Sequence, residues 1–367
     1  MTVALLGKEI GVLKSDNHND LVLRVLVAPH DSCGQLGVTA RALRDVGVHA
    51  RAIAYNDDPL SRNYPIDHSI QTCLSLVHKR PKVVRKMREI QVFLEAIRQY
   101  DVFHFVYRSL IRKNRDLPFL KHSGKKMVVE FFGSPVRLVE LASSKNKYYR
   151  EYLTRHAVKQ DRAIRRMEML AKHIDTALVG DYELYDHVSP FFKNVKIIRV
   201  RKELDQFVPE YPAKSKSNPV IVHVPSVQGI KGTDFVLKAV EQLRNDGVKF
   251  SFQLIHGVSY GEAMSWVRRC DILIDQLLLG SHGSLALEAM SYGKPVICYI
   301  RDDLVEKYPS ELPIVNTNLE TLESKILMLI QDGDLRHELG KKGRQYVEKY
   351  HDAKTVARQL VELYKEL

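Results

Sequence analysis

The residue types and spacings that could do chemistry concentrate in one stretch, Gly280-Ser281-His282-Gly283-Ser284-Leu285-Ala286-Leu287-Glu288-Ala289-Met290. A glycine-rich loop that runs straight into a helix offers free backbone N–H groups and the positive end of the helix dipole, which together hold phosphate. Glu288 falls about one turn into that helix, where a carboxylate can accept two hydrogen bonds from the vicinal hydroxyls of a ribose. His282 sits on the loop itself, placed to meet whatever the loop binds. Gly293-Lys294-Pro295 then ends the helix and opens the next strand. A second stretch, His223-Val224-Pro225-Ser226-Val227-Gln228-Gly229-Ile230-Lys231-Gly232-Thr233, adds Ser226 and Lys231 as groups able to meet a phosphate. A third, residues 29–37, carries Gly34 and Gly37 in a G-x-x-G spacing, unlike the G-x-G-x-x-G of dinucleotide sites.

Two further residues and one short motif carry two readings each. His104 lies in an apolar run, as a packed core histidine or as a catalytic, hydroxyl-binding group. Arg137 follows the Phe132-Gly133-Ser134-Pro135 turn, where it either pairs with an anionic acceptor beside Gly133 and Ser134 or makes a structural salt bridge. Asp332-Gly333-Asp334 has the form of a metal-binding D-x-D but sits between two amphipathic segments, so it reads as a turn and no metal site is expected.

The elements that must position these residues alternate. Residues 21–28 (LVLRVLVA) read as a strand buried on both faces, followed by a loop and a helix ending at Gly47. Strands are expected at 49–54, 101–106, 126–131, 176–179 and 195–200, with a basic helix over 83–98 and a long helix-compatible stretch over 145–172. Residues 209–219 (PEYPAKSKSNP) hold three prolines and polar filler, the composition of an interdomain linker. The pattern then restarts, with strands at 220–224, 249–255, 272–274 and 295–300 and helices at 233–245, 260–268 and 284–292. Two or three amphipathic helices are expected over 319–367. The fold class is therefore α/β, two Rossmann-like doubly wound parallel-sheet domains facing a cleft. The expected boundaries are 1–208, a linker at 209–219, a second domain over 220–350, and a C-terminal helix over 351–367 that packs back on the first domain.

At 367 residues with 45% hydrophobic and 27% charged side chains, the chain can bury two cores and is neither disordered nor fibrous. The net charge of +12 calls for an anionic partner, and the excess is local. Residues 79–126 carry +10 and residues 143–172 carry +6, the latter interleaved with Tyr148, Tyr149 and Tyr152, while the remainder sums to −4. An anionic membrane surface or a lipid pyrophosphate fits these segments better than nucleic acid, since no nucleic-acid module accompanies the charge. Four scattered cysteines, Cys33, Cys73, Cys270 and Cys298, show neither paired nor framework spacing and point to a reducing compartment. Only a short apolar stretch, residues 2–6, precedes Lys8 and Glu9, so a cytoplasmic protein is expected, peripheral at the inner face of a membrane.

The stretch from Gly280 to Val296 resembles the donor-site motif of GT-B glycosyltransferases, particularly the retaining family-four (bacterial group 1) type, in which a Glu-Ala-Met helix precedes Gly-Lys-Pro-Val. The resemblance runs from about Leu23 to the C-terminus and is specific only in the second domain. It assigns Glu288 to the ribose of a nucleotide-sugar and Lys231 to its diphosphate, and it places Gly34, Gly37, Ser226, Gly280, Ser281, His282, Gly283 and Ser284 around the donor. Three positions depart from the family pattern. The first of its paired glutamates falls on Gly280, its diphosphate arginine on Ser226, and its histidine on Phe132. The resemblance implies transfer of a hexose, with UDP favoured, to an acceptor hydroxyl, with retention and no cofactor or metal, and His104, Lys231 and Glu288 as the catalytic set. The acceptor would be a glycan or lipid-linked, in cell-envelope or surface glycan assembly. The competing readings are a catalytically silent sugar-nucleotide-binding scaffold and a basic nucleic-acid-binding protein.

Overall fold

A computed structural model describes residues 23–55, 68–69, 82–156 and 160–367. Cys73 and parts of the basic segments 79–126 and 143–172 lie outside them. Two parallel sheets organise the chain, their central strands buried on both faces and edge strands partly exposed. The first contains β1 (Arg24–Ala28), β2 (His49–Ala54), β3 (His68–Ser69), β4 (Val102–Val106), β5 (Lys126–Phe131), β6 (Thr176–Val179) and β7 (Asn194–Ile197), in the order β3-β2-β1-β4-β5-β6-β7. The second contains β8 (Val220–His223), β9 (Ser251–Leu254), β10 (Ile272–Ile274), β11 (Val296–Cys298) and β12 (Val315–Asn316), in the order β12-β11-β10-β8-β9.

Both orders reverse direction once, between β1 and β4 and between β8 and β10. At such a switch point the loops leaving the two strands diverge and open a crevice beyond their carboxyl ends, where α/β sheets bind ligands. In the second sheet those loops are the ones with Ser226 and with Gly280 to Gly283. In the first they are Pro29 to Gly34 and Tyr107 to Asp116. The topology thus brings the chemistry-bearing stretches to two facing rims.

The chain crosses between the sheets twice. Ile198 packs in the first core and Val200 and Leu204 with the second, so the outward crossing is at residues 198–204. The return crossing runs beside it, with Lys202 N–H donating to the His351 carbonyl (2.7 Å) and Ala353 N–H to the Lys202 carbonyl (3.0 Å). The linker expected at 209–219 is therefore misplaced. That segment lies on the second body, where Arg336 donates to the Lys216 carbonyl (2.7 Å) and His337 to that of Pro212 (3.0 Å). Its prolines mark an ordered surface strap, which composition alone does not distinguish from a linker.

After the return crossing, helix Ala353–Glu366 buries Ala353, Val356, Ala357, Leu360, Leu363 and Tyr364 in the core of the first sheet. That i, i+3, i+4, i+7 spacing is what packs an amphipathic helix. The expected long helix over 145–172 is instead two helices, Lys147–Arg155 and Asp161–Ala171. Asp332 is the N-cap of helix Gly333–Tyr350, accepting from Leu335 N–H at 2.8 Å. Among the described residues no helix is long and apolar enough to cross a membrane, and no cluster of His, Cys, Asp and Glu is arranged for a metal.

Candidate functional site

Helix Ser284–Ser291 starts at Gly283 and carries Glu288, which is 6% exposed. Three donors converge on one carboxylate oxygen, Glu288 Oε1: Lys202 Nζ at 2.7 Å, Tyr260 OH at 3.1 Å and Ser284 Oγ at 3.4 Å. The second oxygen has no partner among the described residues. Lys202 also donates to Ser284 Oγ at 2.8 Å, which ties the crossing segment to the first turn of the helix. Lys202 and Tyr260 lie far from the glycine loop in sequence and belong to no motif, so nothing in the chain's pattern points to them.

Lys231 does not stand as a lone cation. Its Nζ donates to Asp275 Oδ1 (3.0 Å) and Gln276 Oε1 (2.7 Å), and Asp275 Oδ2 accepts the Gly283 N–H (2.9 Å). Burial pushes the Asp275 carboxyl up, but Lys231 and the Gly283 amide outweigh it and hold the group below its ordinary range. One of the N–H groups expected to be free for phosphate is thus occupied. Ser281 is fully buried, its carbonyl accepting from Gln276, whereas Ser226 is exposed ahead of helix Gln228–Lys231.

Gly280 has φ of +81°, and a Cβ there would lie 2.4 Å from Arg301 Cγ and 2.9 Å from Cδ. Arg301 is pinned by Asp303 (2.8 Å) and by Asp186 of the first body (3.0 Å). A side chain at this position is excluded by both backbone and space. Next to it, Asn146 Nδ2 donates to the Leu278 carbonyl at 2.8 Å, and Tyr149 packs against Leu279. The tyrosines of segment 143–172 belong to this contact between the two bodies. Tyr148 and Tyr149 are buried against the second body, and Tyr152 approaches Gly229.

His282 is 9% exposed, and among the described residues neither ring nitrogen has a partner. Its ring lies 5.2 Å from that of Tyr308 and 6.1 Å from that of His351. The Arg199 guanidinium lies 5.5 Å from the ring of Tyr308. Arg199 Nη1, Tyr308 OH, Tyr346 OH and His351 Nε2 are likewise buried without partners. Burial, helped by Arg199, holds the His282 imidazole down at about 4, so it is neutral and offers one donor and one acceptor. This polar cluster at the crossing was invisible in sequence because its members come from four separate segments.

On the first body, Gly34 (φ +74°) precedes helix Gln35–Asp45, whereas Gly37 lies buried inside that helix and not in the loop. Gly133 (φ +54°) has open space around it, and Ser134 begins a 3₁₀ turn. The Phe132 ring lies under the Arg201 guanidinium at 5.8 Å. Two expectations are corrected here. Arg137 follows that turn and is bound in two-pronged fashion by Glu183, both contacts 2.8 Å and both residues buried, which leaves it no face for an acceptor. His104 is fully enclosed and sits between Tyr364 OH (2.6 Å) and Glu130 (3.0 Å), which in turn holds Arg201 (2.9 Å). It fastens the C-terminal helix to the sheet and touches no ligand space. Lys231, His282, Gly283, Ser284 and Glu288 are brought together on one rim; His104 and Arg137 are not.

With that geometry in view, likeness to known proteins adds three findings. Residues 247–346 match the family model for glycosyl transferases group 1. A curated protein described as an uncharacterized glycosyltransferase of Methanocaldococcus jannaschii is 29% identical over 143 residues, spanning 35% of this chain and 40% of that protein. Among solved structures, sucrose-phosphate synthase from Thermosynechococcus elongatus superposes with a TM-score of 0.60 at 14% identity, covering 94% of this chain and 98% of that one. A glycosyltransferase from Rickettsia africae gives 0.60 at 16% identity, covering 95% and 99%. Anabaena Alr3699/HepE, whose structure holds UDP and glucose, gives 0.59 at 13%, covering 94% and 100%. The fold is GT-B.

Proposed function

We propose that this protein transfers a hexose from a nucleoside-diphosphate sugar, with UDP the favoured nucleotide, to an acceptor hydroxyl, with retention of configuration. The observation that carries this reading is Glu288, anchored through one oxygen one turn into the helix that follows the glycine loop. Its other oxygen remains for ribose hydroxyls. The family match over residues 247–346 and the GT-B fold support the reading, and the UDP bound by Alr3699/HepE supports the choice of nucleotide.

In this mechanism Lys231, released in part from Asp275, and the remaining N–H groups of helix Ser284–Ser291 offset the charge that grows on the departing diphosphate. Lys202 and Tyr260 position Glu288. The neutral His282 and its unpartnered neighbours offer donors and acceptors to sugar hydroxyls, and the proton of the attacking hydroxyl leaves to the donor phosphate. No metal is required for these steps. A role in envelope or surface glycan assembly, at the inner face of a membrane, is supported by the basic charge of the first body.

Titration with UDP-, GDP- and ADP-sugars, followed by calorimetry and thermal shift, tests this. One nucleotide-sugar is expected to raise the melting temperature. Glu288→Gln is expected to weaken its binding about 10- to 100-fold, the worth of one or two hydrogen bonds to a charged group. No response to any nucleotide-sugar in the wild-type protein sinks the reading. Binding without turnover favours the silent scaffold, a reading that the closure of Gly280 by Arg301 supports.

A further inference from the structure

Away from the donor loop, the carboxyl end of β4 opens into a groove of about 1530 Å³. Loop Tyr107–Asp116, helix Lys82–Gln99 and helix Asp161–Ala171 enclose it. Eight of its fifteen lining residues are Lys or Arg, against only Glu89 and Asp161. Among the described residues none of the eight makes an ion pair. Arg108 and Arg166 are the most enclosed. Burial holds both guanidiniums below the usual arginine range, for Arg108 against the pull of Tyr55, Glu89 and Asp116 and with Arg112 adding to it, and for Arg166 against Tyr107 with Arg162 adding to it. Arg108 stacks over the Tyr55 ring at 5.2 Å, and Tyr55 OH is itself buried without a partner among the described residues. Unpaired, partly desolvated cations facing one another are costly, and a bound anion removes that cost.

The loop is built to hold this arrangement. Ser109 N–H donates to Asn114 Oδ1 (3.0 Å) and Leu110 N–H to Asp116 Oδ2 (2.9 Å), while Tyr107, Lys113 and Asn114 all have positive φ. Such backbone persists where the surroundings enforce it. The groove is also apolar in part. Phe119 is 64% exposed, Ile90 39% and Met169 37%, all on its wall. Helix Asp161–Ala171 abuts the turn Ser134–Val136, and Tyr107 OH donates to the Phe132 carbonyl, so the groove borders the rim that faces the donor loop.

Clustered cations answer a phosphate or diphosphate, and exposed apolar side chains beside them answer a hydrocarbon tail. We propose that this groove binds the phosphate or diphosphate headgroup of a lipid, with Arg108 and Arg166 on the headgroup and Ile90, Phe119 and Met169 along the first part of the chain. That the lipid is the sugar acceptor rests on the transferase reading; that it binds here does not. The position next to the donor rim would bring a hydroxyl of a sugar carried on that headgroup toward the donor.

The test titrates full-length protein with a short-chain prenyl diphosphate, inorganic pyrophosphate, the matching prenyl alcohol and single-stranded RNA, with a UDP-sugar titration in parallel. The prenyl diphosphate is expected to bind at least 10-fold tighter than either pyrophosphate or the alcohol. Arg108→Gln/Arg166→Gln is expected to lose at least 10-fold in that affinity, and Phe119→Ser to narrow its advantage over pyrophosphate. Both variants should keep the UDP-sugar response of the wild type, which also reports that they are folded. Equal binding of pyrophosphate, preference for RNA, or indifference to the double substitution overturns the proposal. Prenyl diphosphate binding that survives while no UDP-sugar binds would uphold the groove and remove the transferase reading. The reverse result would remove the groove alone.

Discussion

Gly280 shows how a single missing side chain is written into its surroundings. The φ of +81° and the overlap that a Cβ here would make with Arg301 Cγ mean that any L side chain must displace an arginine held by two carboxylates. Gly280→Ala is expected to cost at least about 1 kcal/mol from backbone strain alone, and Gly280→Glu more. Restoring the carboxylate that the resemblance finds missing should therefore lower the urea midpoint without strengthening nucleotide-sugar binding. Tighter binding in Gly280→Glu would show that the site tolerates a glutamate after all. Lys202 is the complementary case. Its pairing with Glu288 is 2% and 8% exposed at the two side chains, so removing one partner strands a buried charge.

At the scale of elements, the decisive piece is helix Ala353–Glu366, last in the chain yet part of the first core. Leu360 and Tyr364 are wholly buried there, and Tyr364 completes the line through His104 and Glu130 to Arg201 at the crossing. Leu360→Ala is expected to destabilise by roughly 2–5 kcal/mol through the lost packing and the cavity left behind. Chemical denaturation reads this directly. A change under about 1 kcal/mol would mean that the helix is only loosely attached. Tyr364→Phe removes one hydroxyl and leaves His104 short of a partner, an expected loss of about 1–3 kcal/mol.

Across the whole molecule, several titratable groups are buried, His282 near the crossing and His223 inside the second body. Burial holds His282 and His223 at about 4, below the 6.5 of a free imidazole. Between those values the unfolded chain takes up protons that the folded chain refuses, so stability falls as pH drops from 6.5 toward 4. Asp181 works in the opposite sense. Burial and neighbouring Glu183 push it up to about 6 from 3.8, so in that interval the folded state binds the proton and offsets one histidine. With His351, which burial also holds well below the free imidazole, three imidazoles stand against one carboxyl and leave a net loss of stability on acidification. Denaturation profiles from pH 7 to 4.5 should show it, and His282→Asn should flatten the slope. A profile with no slope would place water or a ligand-independent partner on those imidazoles.

The sequence by itself determined the two parallel sheets, the glycine loop and Glu288, because buried strands are apolar runs and a loop before a helix has a local signature. Lys231 was legible for the same reason. Hydrophobic period and turn residues are properties of neighbours in the chain, so they survive without a fold. Tertiary structure alone decided the rest. Lys202, Tyr260, Arg301 and the cluster around His282 come from segments as far apart in the chain as Arg199 and His351, and only packing makes them adjacent. It also decided that Arg137 and His104 are structural, since a charged or polar side chain looks the same in sequence whether a buried partner or a ligand answers it. The strap at 209–219 fails for the converse reason: proline and polar filler describe what a segment is made of, while its partners on the second body fix where it lies.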